Sequence, residues 1–478
     1  MGNNYLARTN FGDETADDAP LDDLMAYFVK QNSFEQFNDF QKRFLVVRAR
    51  KGNGKSAILQ WVYHSSLKNK SNIVVKCRGS ELANISVGNN ASDNNPNSRI
   101  HEWMSKICTL INRSLAQKIT FAFSDQKMSI IEAAEIDGMK QCNFIGGLLK
   151  RFDVKYLKEK PSKAIKNEIE TLKREKKLQA VVIIDDLDAT FQNTQEECIN
   201  LSTFFSACRY LIQDFPGIVI RTSIRTDVWP IIRPLDESLD KVEQYMVDLY
   251  WNEYNFRTIL EKRIKYSLNL ENEKNALDRV FASTLNWGKK EVKNYVCLYT
   301  LAYGRPRWGI QLCKLSQDIA LTNDHDKITQ RDIEMAWVDY GKRRISDLQS
   351  EHKHQCNQIV DIVNAFRDQK ALMTREEIIK VISDNIVSRS KGGIIIDGKK
   401  TTSSMDIAAF LFRIGFIVAR ASDSDNYYHH FFENNPNLFS NRYQKDKDYL
   451  WEIHPCYRRA LDIISLNAAL KHLSPRKN

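Results

Sequence analysis

The spacing of hydrophobic positions changes several times along the chain, and these changes divide it into segments of different structure. In residues 44–78, the apolar run FLVVRA is followed by the loop RKGNGKS, the amphipathic run AILQWVYHSSLK and a second apolar run, NIVVKC. This order predicts strand, loop, helix and strand. The continuous apolar runs in QAVVIIDDLD and GIVIRTSIRTDVW predict two more buried parallel strands, with a helix around Leu201–Ile212 between them.

The flanking segments have other patterns. Residues 1–43 are expected to form an acidic lead-in followed by the amphipathic helix LDDLMAYFVK. Residues 86–99 are rich in Asn, Ser, Gly and Pro and predict a loop, and residues 100–178 look helical and polar. We therefore expect an α/β core at 44–235 with a helical insert at about 80–178, a helical lid at 236–345 and a helical connector at 346–370.

Residues 371–478 are predicted to form a separate C-terminal unit. Helices are expected at MTREEIIKVISD and MDIAAFLFRIGFIVAR, then aromatic strands at YYHHFF and DYLWEI, and a last helix at PCYRRALDII. Helices followed by a β-hairpin are typical of a winged-helix-like α+β domain.

Composition excludes several classes of protein. The chain is 42% hydrophobic and 27% charged, an ordinary globular balance, and it contains no apolar run of 18 residues that could form a spanning helix. Nine cysteines without a CxxC spacing predict buried thiols in a reducing cytoplasm rather than disulfides or a zinc site. The net charge of +10 permits nucleic acid as a partner without requiring it.

The clearest chemical motif is a glycine-rich phosphate loop. The P-loop pattern GxxxxGK[ST] ends at Gly54-Lys55-Ser56, with Ala49 in place of its first glycine. Backbone amides there are expected to grip ATP, Lys55 to contact its β- and γ-phosphates, and the Ser56 hydroxyl to bind Mg²⁺. The predicted nucleotide-binding residues are Arg50, Lys51, Gly52, Asn53, Gly54, Lys55, Ser56 and Ala57.

A second motif is the acidic end of the strand VVIIDDLD. Ligands of open α/β sheets lie beyond the carboxyl ends of the strands, so Asp185 is expected to hold Mg²⁺. Asp186 is predicted to polarise the attacking water. Because Asp is one methylene shorter than Glu, slow hydrolysis is expected.

Two further elements carry candidate arginines. In IRTSIRTDVW, Ser223 or Thr222 could position water. Arg225 is predicted as a catalytic residue, and it could pair with Asp227 locally, across a subunit boundary or as a switch. In YGRPRWG, Pro306 begins a helix whose first turn carries Arg307. That guanidinium is predicted either to reach the γ-phosphate as a catalytic group or to form an interdomain salt bridge.

Together these motifs resemble AAA+-type and STAND-type ATPases, and GRPR resembles the second-sensor motif of origin-recognition-like ATPases, which also carry a C-terminal winged helix. The chain is more similar to a bacterial family of P-loop ATPases met in antiphage-defence and mobile-element loci. This likeness spans most of residues 10–465 outside the insert. It rests on the motifs YF at 27–28, RKGNGKSA, VVIIDDLD, IRTDVW, GRPR, ITQRDIEMAWVDYGKRRISDLQSE and IHPCYRRAL.

The resemblance implies ATP, Mg²⁺, oligomerisation and action as a sensor or regulator of a partner effector. Two alternatives stay open: an ATP-gated DNA-binding protein, and a scaffold that binds nucleotide with little turnover. DNA would be read by the C-terminal basic candidates Arg442, Lys445, Lys447, Arg458 and Arg459. The aromatic residues of that unit would instead pack as a core or a protein interface: Tyr427, Tyr428, Phe431 and Phe432.

Overall fold

The structure is a computed structural model, and it describes residues 4–69, 72–85, 95–120, 180–189, 191, 193–215, 217–287, 290–390, 392–421, 429–432, 435–440 and 449–463. Most of the expected insert therefore lies outside the described residues. The same holds for five residues of the C-terminal predictions, namely Tyr427, Tyr428, Arg442, Lys445 and Lys447.

The centre of the chain is a five-stranded parallel sheet in the order β2-β3-β4-β1-β5. Its strands are β1 (Phe44–Arg48), β2 (Ile73–Arg78), β3 (Ala180–Asp185), β4 (Ile218–Ile224) and β5 (Met246–Asp248). The short β5 pairs with β1 and lies beyond the predicted core boundary at 235. Residues 240–345 are therefore less uniformly helical than the pattern predicts.

Alternate residues of these strands enter two separate cores, because successive side chains of a strand point to opposite faces. Leu45, Val47 and Ile183 pack in the core shared with the lid and the C-terminal unit. Val46 and Ile184 pack in the core on the opposite face. Burial on both faces explains the continuous apolar runs of β1, β3 and β4.

Within the described residues, eight helices accompany the sheet, and the long α5 starts at Pro96, inside the segment predicted as a loop at 86–99. They are α1 (Tyr5–Arg8), α2 (Leu21–Tyr27), α3 (Lys55–Leu67), α4 (Gly79–Ala83), α5 (Pro96–Thr120), α6 (Gln195–Asp214), α7 (Trp229–Ile232) and α8 (Asp240–Glu243). Short 3₁₀ turns occupy Asn32–Asn38, Arg233–Leu235 and Glu237–Leu239.

The lid packs on the first core through helices and one hairpin, β6 (Thr284–Trp287) with β7 (Lys290–Lys293). Its last helix runs to residue 352 without a break, so the predicted boundary between lid and connector at 345 falls inside one helix. The helices are α9 (Glu253–Leu268), α10 (Leu277–Val280), α11 (Asn294–Leu301), α12 (Pro306–Thr322) and α13 (Gln330–His352), followed in the connector by α14 (Ile359–Asn364).

The C-terminal unit combines a four-stranded antiparallel sheet, β12-β11-β13-β8, with a small β9–β10 hairpin. The predicted helix MDIAAFLFRIGFIVAR is wrong in its second half, because Gly415, at φ +74°, ends the helix and a strand follows. The strands are β8 (Leu372–Met373), β9 (Ile394–Ile396), β10 (Lys399–Thr401), β11 (Ile417–Ala421), β12 (His429–His430) and β13 (Tyr449–Ile453). The helices are α15 (Arg375–Ile382), continued by a π turn at Ser383–Val387, α16 (Ser404–Arg413) and α17 (Pro455–Arg458), continued by a 3₁₀ turn at Arg459–Leu461.

The C-terminal unit docks tightly on the lid. Trp337 of α13 donates its indole N–H to the carbonyl of Pro455 at 3.0 Å. A side chain at Gly341 would come within 3.1 Å of the Cys456 carbonyl and of Ala460. Over the described residues, no helix is both long and apolar enough to cross a membrane.

Candidate functional site

The glycine loop joins β1 to α3 and shapes one wall of a cavity of about 430 Å³. Gly52 (φ +83°) and Gly54 (φ +95°) adopt left-handed backbone conformations that favour glycine, and Gly54 is the N-cap of α3. The first-turn amides of a helix lack intrahelical acceptors, and those of α3 belong to residues that line this cavity. The loop is therefore built to receive an anion.

Ala49 fits the position of the missing glycine without backbone strain. It is fully buried, its φ is not positive, and its N–H donates to the Ile224 carbonyl at 3.1 Å, which extends the pairing of β1 with β4. Lys55 is 8% exposed and donates to the Ala49 carbonyl at 3.4 Å. The departure from the P-loop pattern consequently leaves the loop geometry intact.

The lining of the cavity combines polar and apolar residues. Its loop and charged residues are Lys51, Gly52, Asn53, Gly54, Lys55, Ser56 and Ala57, together with Asp186, Asp188, Arg225 and Arg307. Its apolar and aromatic residues include Tyr27, Phe28, Val29, Trp251, Ile259 and Ile310. A pocket of this size with apolar walls and a few convergent polar groups is typical of a small-ligand site.

Two predicted loop residues use their side chains elsewhere. The Arg50 guanidinium lies over the rings of Tyr303 at 4.4 Å and Phe431 at 4.8 Å, away from the cavity lining. Asn53 donates its side-chain amide to the Leu249 carbonyl at 3.3 Å, and its own carbonyl accepts from the Trp251 indole at 2.8 Å. Asn53 thus fastens the loop to the chain after β5.

The end of β3 brings Asp186 into the cavity lining, with Asp185 directly before it. Asp185 is 3% exposed, and its Oδ1 accepts a 2.6 Å hydrogen bond from the Ser223 hydroxyl and a 2.9 Å bond from the Asp186 N–H. Its Oδ2 is buried without a hydrogen-bond partner among the described residues. An orphaned buried carboxylate oxygen beside the Ser56-bearing loop fits the oxygen ligands that Mg²⁺ prefers.

Asp186 has a left-handed backbone, φ +53°, which is uncommon outside glycine. Burial and the neighbouring Asp185 raise the pKa of its carboxyl, and Lys55 opposes that shift. Burial also raises the pKa of Asp188, whose carboxylate accepts the Arg225 N–H at 2.6 Å. The acidic strand end is therefore a crowded group of carboxylates.

The polar residues in the last part of β4 and just after it are buried or paired within the protein. The fully buried Ser223 donates a hydrogen bond to Asp185, and the buried Thr222 hydroxyl has no partner among the described residues. Arg225 pairs with Asp227 within the chain, at 2.6 and 3.2 Å. Burial opposes the shift, yet the Arg225 guanidinium lowers the pKa of Asp227. The geometry thus favours the local ion pair for Arg225, although its side chain also reaches the cavity.

The two GRPR arginines have different places. Arg305 is 4% exposed, forms an ion pair with Glu351 at 3.6 Å and stacks over Trp308 at 4.0 Å. Arg307 lines the cavity, its N–H donates to the Gly52 carbonyl at 3.2 Å, and its Nε is buried without a partner among the described residues. The ion pair of this element is therefore formed by Arg305, and it lies within the lid rather than between domains, whereas Arg307 lines the cavity.

Sequence reasoning did not place the acidic lead-in at the cavity. Residues 14–18 line its edge, and Asp17 contributes a carboxylate oxygen within 4.8 Å of oxygens from Asp185 and Asp186. The sequence feature that marks this segment is the acidic run DETADD shortly before α2. No spacing rule connects that run to a strand end about 170 residues later.

The parallel sheet, the glycine loop with Lys55 and the acidic end of β3 define a P-loop NTPase core with a helical lid. The predicted α/β fold class is thereby confirmed. Residues 41–213 match the KAP family P-loop domain, and residues 254–349 match the FunZ-associated C-terminal helical domain. The P-loop match ends inside α6, and the helical match covers α9 to most of α13.

Solved structures show a distant likeness. The Aeropyrum pernix ORC2 protein in ADPNP–ADP complexes has 11% identity and a TM-score of 0.38, covering 90% of this chain and 92% of that chain. The Aeropyrum pernix ORC1 protein in complex with DNA has 10% identity and a TM-score of 0.38, covering 92% and 91%. The Thermotoga maritima RuvB Holliday junction branch migration motor has 12% identity and a TM-score of 0.33, covering 86% and 93%. No curated protein matches.

Proposed function

We propose that the protein binds ATP with Mg²⁺ in this cavity and hydrolyses it. The proposal rests mainly on the cavity, whose lining includes the first turn of α3, Lys55, Asp186 and Arg307, and on the orphaned oxygen of Asp185, the residue directly before Asp186. The adenine would pack against apolar side chains of the lining, and the triphosphate would lie along residues 52–56. Bound Mg²⁺ would be held by Ser56 and Asp185 and would neutralise phosphate charge.

Each polar side chain has a distinct part in this reaction. Lys55 binds the β- and γ-phosphates, and its positive charge stabilises the negative charge that develops on the phosphate oxygens during transfer. The ionised Asp186 accepts a hydrogen bond from the attacking water and orients it. Arg307 lies on the lid and contacts the γ-phosphate, so its position depends on how the lid closes over the nucleotide.

A binding and turnover experiment tests this function. Fluorescent ATP binding and phosphate release would be measured for the full chain and for Lys55→Ala, with Lys68→Ala, at the far end of the same helix, as the matched control. We expect Lys55→Ala to lose binding or turnover and Lys68→Ala to keep both. Wild-type protein that binds no ATP, or a Lys55→Ala variant that behaves like wild type, would contradict the proposal.

We further propose that the ATPase acts in the cytoplasm as an oligomer that regulates a partner effector in bacterial antiphage defence. The motif resemblance supports this role. Tyr250 and Tyr254 flank the cavity-lining Trp251 and are 73% and 72% exposed, which is unusual for large aromatic side chains and fits a protein contact. Mass photometry with and without ATP tests it, since Tyr250→Ser with Tyr254→Ser should then weaken assembly.

The DNA-binding alternative finds little support in the described part of the C-terminal unit. Arg458 is fully buried and donates to the Ile453 carbonyl, so it belongs to the core. Phe431 packs against Tyr303 and Phe432 against Phe412, so both are partly buried side chains that pack against the core. Arg459 is half-buried. Salt-dependent DNA binding at low ionic strength would restore this alternative.

A nucleotide-binding scaffold with little turnover is the remaining alternative. Ala49 fits the loop without backbone strain, so the missing glycine no longer argues for slow turnover. The short side chain of Asp186 still does. Bound nucleotide retained through purification without phosphate release would favour the scaffold.

A further inference from the structure

Three carboxylates meet at the end of β3, and one of them comes from outside the sheet. Asp17, Asp185 and Asp186 each place one oxygen within 4.8 Å of the others. Like charges this close repel one another unless a cation lies between them. The second oxygen of Asp185 is buried without a hydrogen-bond partner among the described residues, which is an independent sign that a ligand is missing from the protein's own contacts.

The segment that carries Asp17 is anchored at both ends. On one side, Phe11 is buried, and the Arg263 guanidinium donates to the carbonyls of Phe11 and Asp13 at 2.6 and 2.9 Å. On the other side, Ala19 packs with Leu24 of α2. The acidic residues between these anchors are therefore held at the edge of the cavity by packing.

Lys76 of β2 offers a competing explanation for Asp17. Its ammonium lies 3.3 Å from the Asp17 carboxylate, and it also donates to Gln60 at 2.5 Å. Both partners are partly exposed, and such a pair contributes little stability. One ammonium shared with Gln60 does not balance three carboxylates. The lysine therefore accounts for part of the charge at Asp17. Lys55 offsets part of the charge at Asp186, but the buried Oδ2 of Asp185 still has no hydrogen-bond partner among the described residues.

We propose that Asp17 is a further carboxylate ligand of the divalent cation beside Asp185, supplied by the N-terminal segment rather than by the ATPase core. A group of oxygen ligands of this kind suits a hard cation such as Mg²⁺ or Mn²⁺. This proposal rests on the proposed function in one respect, namely that ATP binds together with the metal. Its consequence is that metal occupancy is coupled to the position of residues 13–18.

Titration of the full chain with Mn²⁺, followed by electron paramagnetic resonance of the free ion, tests this ligand directly. We expect Asp17→Asn to weaken Mn²⁺ binding about tenfold or more. Asp13→Asn, which removes the same charge from the same segment outside the cavity lining, should leave the affinity unchanged. Lys76→Gln should leave it unchanged or tighten it, because a competitor for Asp17 is removed.

The outcomes separate this proposal from the others. Wild-type Mn²⁺ affinity in Asp17→Asn, or an equal loss in Lys76→Gln, would overturn it, since Asp17 would then act only through its salt bridge. ATP binding is measured in parallel, with metal and with a chelator. Loss of metal affinity in Asp17→Asn in a protein that binds no ATP would support the ligand and contradict the proposed function. If the wild-type protein shows normal Mg²⁺-dependent ATP binding and Asp17→Asn leaves the metal affinity unchanged, the proposed function is supported and Asp17 is not a metal ligand.

Discussion

The Ser223 hydroxyl donates a 2.6 Å hydrogen bond to Oδ1 of Asp185, and this bond ties the end of β4 to the end of β3. Both side chains are nearly inaccessible. With Oδ1 held by Ser223 and by the Asp186 N–H, Oδ2 is the oxygen left for a ligand. Ser223 is therefore a positioning residue for Asp185.

Removing that hydroxyl should weaken metal-dependent nucleotide binding. We expect Ser223→Ala to lower Mg²⁺·ATP affinity about tenfold, the size of effect seen when a group supporting a metal ligand is lost, while affinity for ATP without metal stays the same. Calorimetric titrations with and without Mg²⁺ would measure the difference. Thr222→Val is the control, because it removes a buried hydroxyl without a partner and should change neither affinity. Equal affinities for wild type and Ser223→Ala would disprove the positioning role.

Asp186 should be needed for turnover and dispensable for binding. Asp186→Asn removes the base while keeping the shape, so we expect phosphate release to fall about 10²- to 10⁴-fold with ATP still bound. Burial and Asp185 raise the pKa of Asp186 above 3.8, the ordinary pKa of an aspartate. As the pH is lowered, wild-type turnover should therefore begin to decline at a pH above 3.8. Single-turnover rates across pH would show this limb. Rapid hydrolysis by the variant would remove Asp186 from the reaction.

The same shift predicts a change in stability. A carboxyl whose folded-state pKa is raised binds its proton more readily when folded, so its ionisation at neutral pH destabilises the fold. Asp186→Asn should therefore raise the unfolding temperature of the nucleotide-free protein at pH 7, and the gain should shrink as the pH falls toward the ordinary value of an aspartate. Thermal unfolding of both proteins over that range measures it. An asparagine variant less stable at pH 7 would contradict the sign.

Arg307 should matter for the transition state. Its side chain lines the cavity from the lid, and loss of an arginine finger typically costs about 10³-fold or more in kcat. We expect such a loss in Arg307→Ala, with a smaller effect on ATP affinity, and partial recovery in Arg307→Lys, because lysine keeps the charge without the planar fork. Arg343→Ala, an exposed change on α13, is the control. Unaltered kcat in Arg307→Ala would assign this arginine to packing.

How clearly the sequence predicts each strand depends on how far the strand is buried. Strands β1 and β3 have both faces in a core, so their apolar runs stand out, whereas β5 is three residues long and carries no such signal. The P-loop pattern located the site because it specifies backbone geometry. It does not specify where the side chains at its variable positions point, which is why Arg50 faces Phe431. Asp17 was not predictable because tertiary packing alone brings it to β3.

The stacking of Arg50 on the C-terminal unit predicts a coupling between the phosphate loop and that unit. The guanidinium lies 4.4 Å from the Tyr303 ring and 4.8 Å from the Phe431 ring. A cation–π contact contributes about 0.5–2 kcal/mol, depending on how far it is desolvated. A double-mutant cycle of Arg50→Ala and Phe431→Leu, measured by denaturant unfolding, should return a coupling energy in that range.

Lys51 provides the matched control for this cycle, because it is adjacent to Arg50 but lines the cavity instead of the aromatic contact. Lys51→Ala combined with Phe431→Leu should be additive within about 0.5 kcal/mol. If the contact also reports nucleotide occupancy, the Arg50–Phe431 coupling energy should change when ATP is added, since the ligand binds one end of the same loop. A coupling energy of zero in both states would mean that Arg50 and Phe431 are neighbours without energetic consequence.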